Sequence, residues 1–260
     1  RKFHIGIAFE FQDFVLSFGT RDLCFQVHWA ASLQSLPRPE LNVTQDWGSF
    51  VILVANWING LELNDRVAVD VICNAHNIWF GVGVYTSSEL FYLAGLSPCL
   101  TVAEVFGVPS RCARLIEAYF CHVQNAEDKI WKLVVKPAIC ESMLAPHQDN
   151  RIAFLEHLHV HSKVSSRISD RMADLRDLHM MTTNADEPFY DVYEPSYMAR
   201  SLVLPGHLGH LIFGDLKWQA LCPVMPHVSA LQTQVDPITV LYAHRGKLDV
   251  PLYCMHTLLT

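Results

Sequence analysis

The sequence predicts one compact domain of mixed α+β class over residues 1–260, and three observations carry that reading. Apolar residues make up 51% of the chain and charged residues 17%, a composition that buries a core rather than staying extended. Apolar positions recur at helical spacing over residues 110–123 and again over 152–179. From Pro188 onward, Pro and Gly punctuate short apolar runs, the pattern of short strands joined by turns.

In chain order, the apolar runs at 3–11, 14–18 and 23–29 read as strands or short helices, ending at the break Leu36-Pro37-Arg38-Pro39-Glu40. Residues 49–54 are rich in β-branched and aromatic side chains and predict a buried strand. Asn59-Gly60 follows as a turn, and 63–73 fits a helix. Ser110 is a candidate cap for the helix over 110–123, and Pro137 a candidate stop. Between them, 130–135 fits a strand as well as a helix. After His147, the spacing of Ile152, Leu155 and Leu158, then of Ile168, Met172, Leu175 and His179, predicts helix. Residues 201–204, 210–213 and 238–242 read as short strands.

Charge and run length narrow the partners. The net charge is −7 and no stripe of Lys or Arg is visible, so nucleic acid is not expected. The longest apolar run, residues 50–55, is far too short to span a bilayer, so no membrane partner is expected either. The chain opens on Arg1 rather than Met, as a fragment or a processed chain does. Its eight cysteines include no Cys-x-x-Cys pair and mostly have apolar neighbours, which points to reduced thiols and a cytoplasmic protein. A small-molecule substrate is the expected partner.

One constellation could assemble a metal centre: His147-Gln148-Asp149, with His227 beyond Pro226. On a strand, residues two apart share a face, so His147 and Asp149 could hold one ion with His227 as third ligand. Two imidazoles and a carboxylate leave open positions, which suits non-haem Fe(II) oxygen chemistry. An ordinary loop pair and a surface histidine fit the same residue types. A second cluster, Glu156-His157-Leu158-His159-Val160-His161, could bind zinc, but the surrounding helical period favours a solvated helix face.

The neighbours of the triad carry a family resemblance. The segment from Lys136-Pro137 to Pro146-His147-Gln148-Asp149 resembles the approach to the metal site in the phytanoyl-CoA dioxygenase family. Leu202-Val203-Leu204-Pro205-Gly206-His207, Gly214-Asp215-Leu216 and His227-Val228-Ser229 are similar to that family's later segments, in the family's order, and residues 47–54 to a strand near its start. The resemblance implies a double-stranded β-helix, or jelly roll, with flanking helices and a core at about 125–250. It also implies Fe(II) held by His147, Asp149 and His227, and 2-oxoglutarate as cosubstrate. Ser229 would hydrogen-bond the cosubstrate carboxylate and Arg245, the nearest cation, would pair with it. Turnover of 2-oxoglutarate to succinate, lost in His147→Ala and Asp149→Ala, is the implied activity.

Two further readings stay open. Residues 237–251 resemble the strand and loop that present the acid of an α/β-hydrolase triad, here Asp249, although no Gly-x-Ser-x-Gly elbow occurs. Residues 61–87, with Trp57 and Asp65, have the apolar spacing of central helices in a nuclear-receptor ligand-binding domain, a non-catalytic function.

Overall fold

The computed structural model describes residues 4–20, 29–35, 41–140, 143–165, 208–214, 218 and 236–248. The chain, expected to be one domain over 1–260, divides into two compact units, Arg1–Glu40 and Leu41–Thr260. In the first, β1 (His4–Glu10) and β2 (Val15–Thr20) pair antiparallel, with a bulge between Ile5 and Ile7. Phe9 meets Phe18 edge to face at 6.3 Å, and Phe11 stacks on Phe14 at 4.7 Å. Such cross-strand aromatic pairs fix hairpin register, and the strand alternative of the sequence reading is the one adopted.

The second unit is built from helices. Its first, α1 (Trp47–Asn59), occupies the run expected to be a strand. Trp47, Phe50, Val51, Val54, Ala55 and Ile58 are buried, at spacings of three and four residues, while Ile52 is exposed. The stripe has the helical period, and burying it against a common core outweighs the β propensity of the six central residues. Next come α2 (Ala68–Asn74) and α3 (Val84–Ala94), the latter closed by Gly95 in the left-handed region, φ 64°. A capping box between Thr101 and Glu104 starts α4 (Val102–Phe106). The Ala68 N–H donates to Leu100 O at 2.9 Å and the Val102 N–H to Arg66 O at 2.8 Å, tying the starts of α2 and α4 together.

α5 (Pro109–Asn125) forms where the sequence places it, and is buried on every side through Phe120. It continues without a break as a π-helix (Ala126–Val135) and a 3-10 turn (Lys136–Ala138), so 130–135 is helical rather than extended, and Pro137 stands in the final turn. Phe50, Trp79 and Tyr119 pack ring to ring at 5.3 to 6.0 Å, and Trp57 lies across Trp79 and Phe106 at 6.1 and 5.2 Å. The Tyr119 hydroxyl donates to Phe80 O at 2.9 Å, which satisfies its polar end beside the apolar cluster.

Beyond the rod, β3 (Ile139–Cys140) and β4 (Met143–Leu144) form a minimal hairpin, and α6 (Gln148–Glu156) follows with no buried residue. α7 (Gly209–Phe213) and α8 (Pro237–His244) pack on α5. Both occupy runs expected to be strands. In α8, Asp236 accepts from the Ile238 and Thr239 N–H groups at 3.0 and 2.9 Å, and Pro237 stands in the first turn, the two signals that start a helix. Of the span 125–250 on which a jelly-roll core is expected, the described residues hold these helices and the one small hairpin. Residues 141–142, 166–207, 215–217, 219–235 and 249–250 lie outside them. The five described cysteines are free thiols: Cys112 is buried, Cys73 and Cys121 are half-buried, and Cys99 and Cys140 are exposed.

Candidate functional site

The strongest polar arrangement centres on a residue the sequence reading passed over. Glu89 lies on the inner side of α3, only 3% exposed, among Leu90 and Phe91. Its Oε1 accepts the N–H groups of Val160 and His161, both at 2.8 Å, and its Oε2 accepts that of His159, also at 2.8 Å. The His159 ring Nδ1 lies 3.2 Å from the same oxygen. Successive N–H groups closing on a carboxylate make an anion nest. Burial by itself raises the Glu89 carboxyl, yet the hydrogen bonds of His161, Val160 and His159 outweigh it and hold the group below its usual range.

The nest is a turn at the end of α6. Lys163 Nζ donates to Leu155 O at 2.7 Å, a cation on the last carbonyls of that helix, and Ser162 takes φ 63° to reverse the chain. The solvated helix face expected for residues 157–161 is therefore a half-buried turn. Its rings pack back on α3, His159 stacked on Tyr92 at 4.8 Å and His161 tilted against Tyr85 at 4.1 Å. A lone acid on a buried helical face was the one available signal, because a buried carboxylate requires a partner. Which partner it finds depends on a segment some seventy residues away.

Between α3, the junction of α5 with the π-helix, and this turn lies a cavity of about 790 Å³. Leu93, Ile130, Phe154 and Leu158 give it an apolar lining. His122, Lys129 and His157 face it as well. A smaller cavity of about 460 Å³, lined by Phe80, Tyr119 and Trp131, also reaches His122. Burial pushes the His122 pKa down and His159 adds to that, against the opposing charge of Glu89, so the ring is neutral at neutral pH.

The residues singled out from the sequence lie elsewhere. His147 is the N-cap of α6 and Asp149 stands in its first turn, both exposed. The His147 N–H donates to Asn150 Oδ1 at 3.0 Å. The pair thus opens a helix instead of lying on a strand, and positions two apart on a helix do not face each other. Arg245 ends α8, where its Nη2 donates to Ile58 O at 2.7 Å and its Nη1 is buried without a hydrogen-bond partner among the described residues. That guanidinium serves the C-terminal end of α1. His227, Ser229 and Asp249 lie outside the described residues. Among the described residues no group of three His, Cys, Asp or Glu side chains could hold a metal ion. None of their helices is long and apolar enough to cross a membrane.

No family model, no curated protein and no solved structure matches this chain.

Proposed function

We propose that the chain is a small-molecule-binding module whose site is the cavity of about 790 Å³ beside Glu89. The observation that carries this reading is the anchored turn. Three backbone amides and two ring contacts fix one cavity wall on α3, so the space is held open by structure rather than by loose packing. The volume is within the range of small-ligand pockets, and apolar walls with a few polar groups are the usual composition of such sites. Saturable binding of the neutral fluorophore N-phenyl-1-naphthylamine is expected, with NMR shifts of the His122 and His157 ring protons. Leu158→Trp, which fills the cavity, should abolish both. Unmoved ring protons at saturating probe would remove the proposal.

One observation favours a second reading. α3, α4, the Gly107-Val108 turn and α5 follow in the order of a helix-turn-helix, and a Cβ at Gly107 would collide with Ala103 O, so the turn requires glycine. In nucleic-acid readers the first residues of the second helix of such a motif meet the bases. Here Ser110, Arg111 and Arg114 are buried, Arg111 Nη1 donates to Glu104 O at 3.0 Å, and α7 and α8 pack on α5. This reading needs those two helices to leave. It predicts salt-dependent binding of a short labelled duplex by fluorescence anisotropy, weakened by Arg114→Ala. Flat anisotropy at low salt would end it.

A further inference from the structure

We infer that the occupant of the cavity is an organic anion: an apolar, ring-sized body carrying one acidic group. The inference rests on the small-molecule reading above and adds the ligand's chemistry. It follows from which polar groups in the lining are already engaged.

Two carboxylates line the cavity, and both are partnered. Glu89 holds three backbone N–H groups and the His159 ring, and Asp128 pairs with Lys132 at 3.0 Å. Among the described residues of the lining, Lys129, His122, His157 and His161 make no hydrogen bond or ion pair from their side chains, and neither do the neutral Tyr85, Gln124 and Asn125. The first is an ammonium, and the three histidines are imidazoles able to donate a hydrogen bond. Glu89 keeps its negative charge but its oxygens are engaged, so the charged group left to a ligand among the described residues of the lining is the Lys129 cation, although the whole chain carries −7. A neutral ligand would leave Lys129 to solvent alone, and a cationic one would meet carboxylates whose oxygens are already engaged. An acid group beside Lys129, hydrogen-bonded by His122 or His157, completes the set, while Leu93, Phe154 and Leu158 receive the apolar body. Lys129 is exposed at the rim, so its contribution is that of a partly solvated pair.

The test uses two probes that share their rings and differ in one group: 8-anilinonaphthalene-1-sulfonate and neutral N-phenyl-1-naphthylamine. Both are titrated into the full chain and into Lys129→Gln, with the His122 and His157 ring protons reporting location. The expected result is tighter binding of the sulfonate, with Lys129→Gln weakening it about two- to five-fold, as for a solvated ion pair, and leaving the neutral probe unchanged. Equal affinity for the two probes, unaltered in Lys129→Gln, overturns the anion inference and leaves the cavity standing. Failure of both probes to shift either ring overturns the small-molecule reading and this inference with it.

Discussion

Glu117→Gln will flatten the pH dependence of stability between about pH 4.5 and about pH 8. Glu117 is fully buried on α5, and neither of its carboxyl oxygens has a hydrogen-bond partner of good geometry among the described residues. Burial pushes its pKa from the ordinary 4.5 up to about 8; the Leu208 N–H opposes this and the charge of Asp236 adds to it. At neutral pH the folded protein therefore holds a neutral carboxylic acid. The unfolded chain releases that proton near 4.5, so between the two values the folded state binds more protons. Stability is full below about 4.5, falls as pH rises, and levels off above about 8. The slope is about 1.4 kcal/mol for each pH unit, large beside a total of about 5–15 kcal/mol. A glutamine does not titrate, so in urea unfolding at a series of pH values the variant should gain on the parent steadily up to pH 8. Parallel curves for the two proteins would show that Glu117 is ionised in the fold.

Glu89→Ala is expected to cost about 3–5 kcal/mol, because three charge-assisted hydrogen bonds are lost together and their donors are left in a half-buried turn. The effect should be local first. The amides of His159, Val160 and His161 should exchange with solvent far faster, while those of α5 stay protected. The pH dependence runs opposite to that of Glu117. The folded Glu89 value lies below the ordinary 4.5, so its contribution is present above that value and fades as pH falls through the folded one. Exchange at residues 159–161 that is unchanged in the variant would mean that the turn is held by the ring contacts with Tyr85 and Tyr92 instead.

These two acids show how far the site could be read from the chain. Both are single carboxylates inside apolar helical stretches, visible as such in the sequence. Their fates diverge: Glu89 meets a row of amides and ionises, whereas Glu117 meets the single N–H of Leu208, which burial outweighs, and stays protonated. That divergence is a property of segments distant in sequence, His159 for one and Leu208 for the other. The histidine-rich stretch at 157–161 was legible as unusual, but its backbone rather than its rings makes most of the contacts.

What the sequence determined by itself is whatever a short window specifies. The alternating, aromatic runs of β1 and β2 pair as a hairpin, and the apolar period of α5 gives its helix. The tertiary structure decided α1 and α8. Their central apolar runs fit period two as well as period 3.6 over a few residues, and only a core with room for a helical stripe separates the two. It decided the cavity as well, since a buried charge is stable only where the fold delivers its partners, and no local pattern names a partner some seventy residues away.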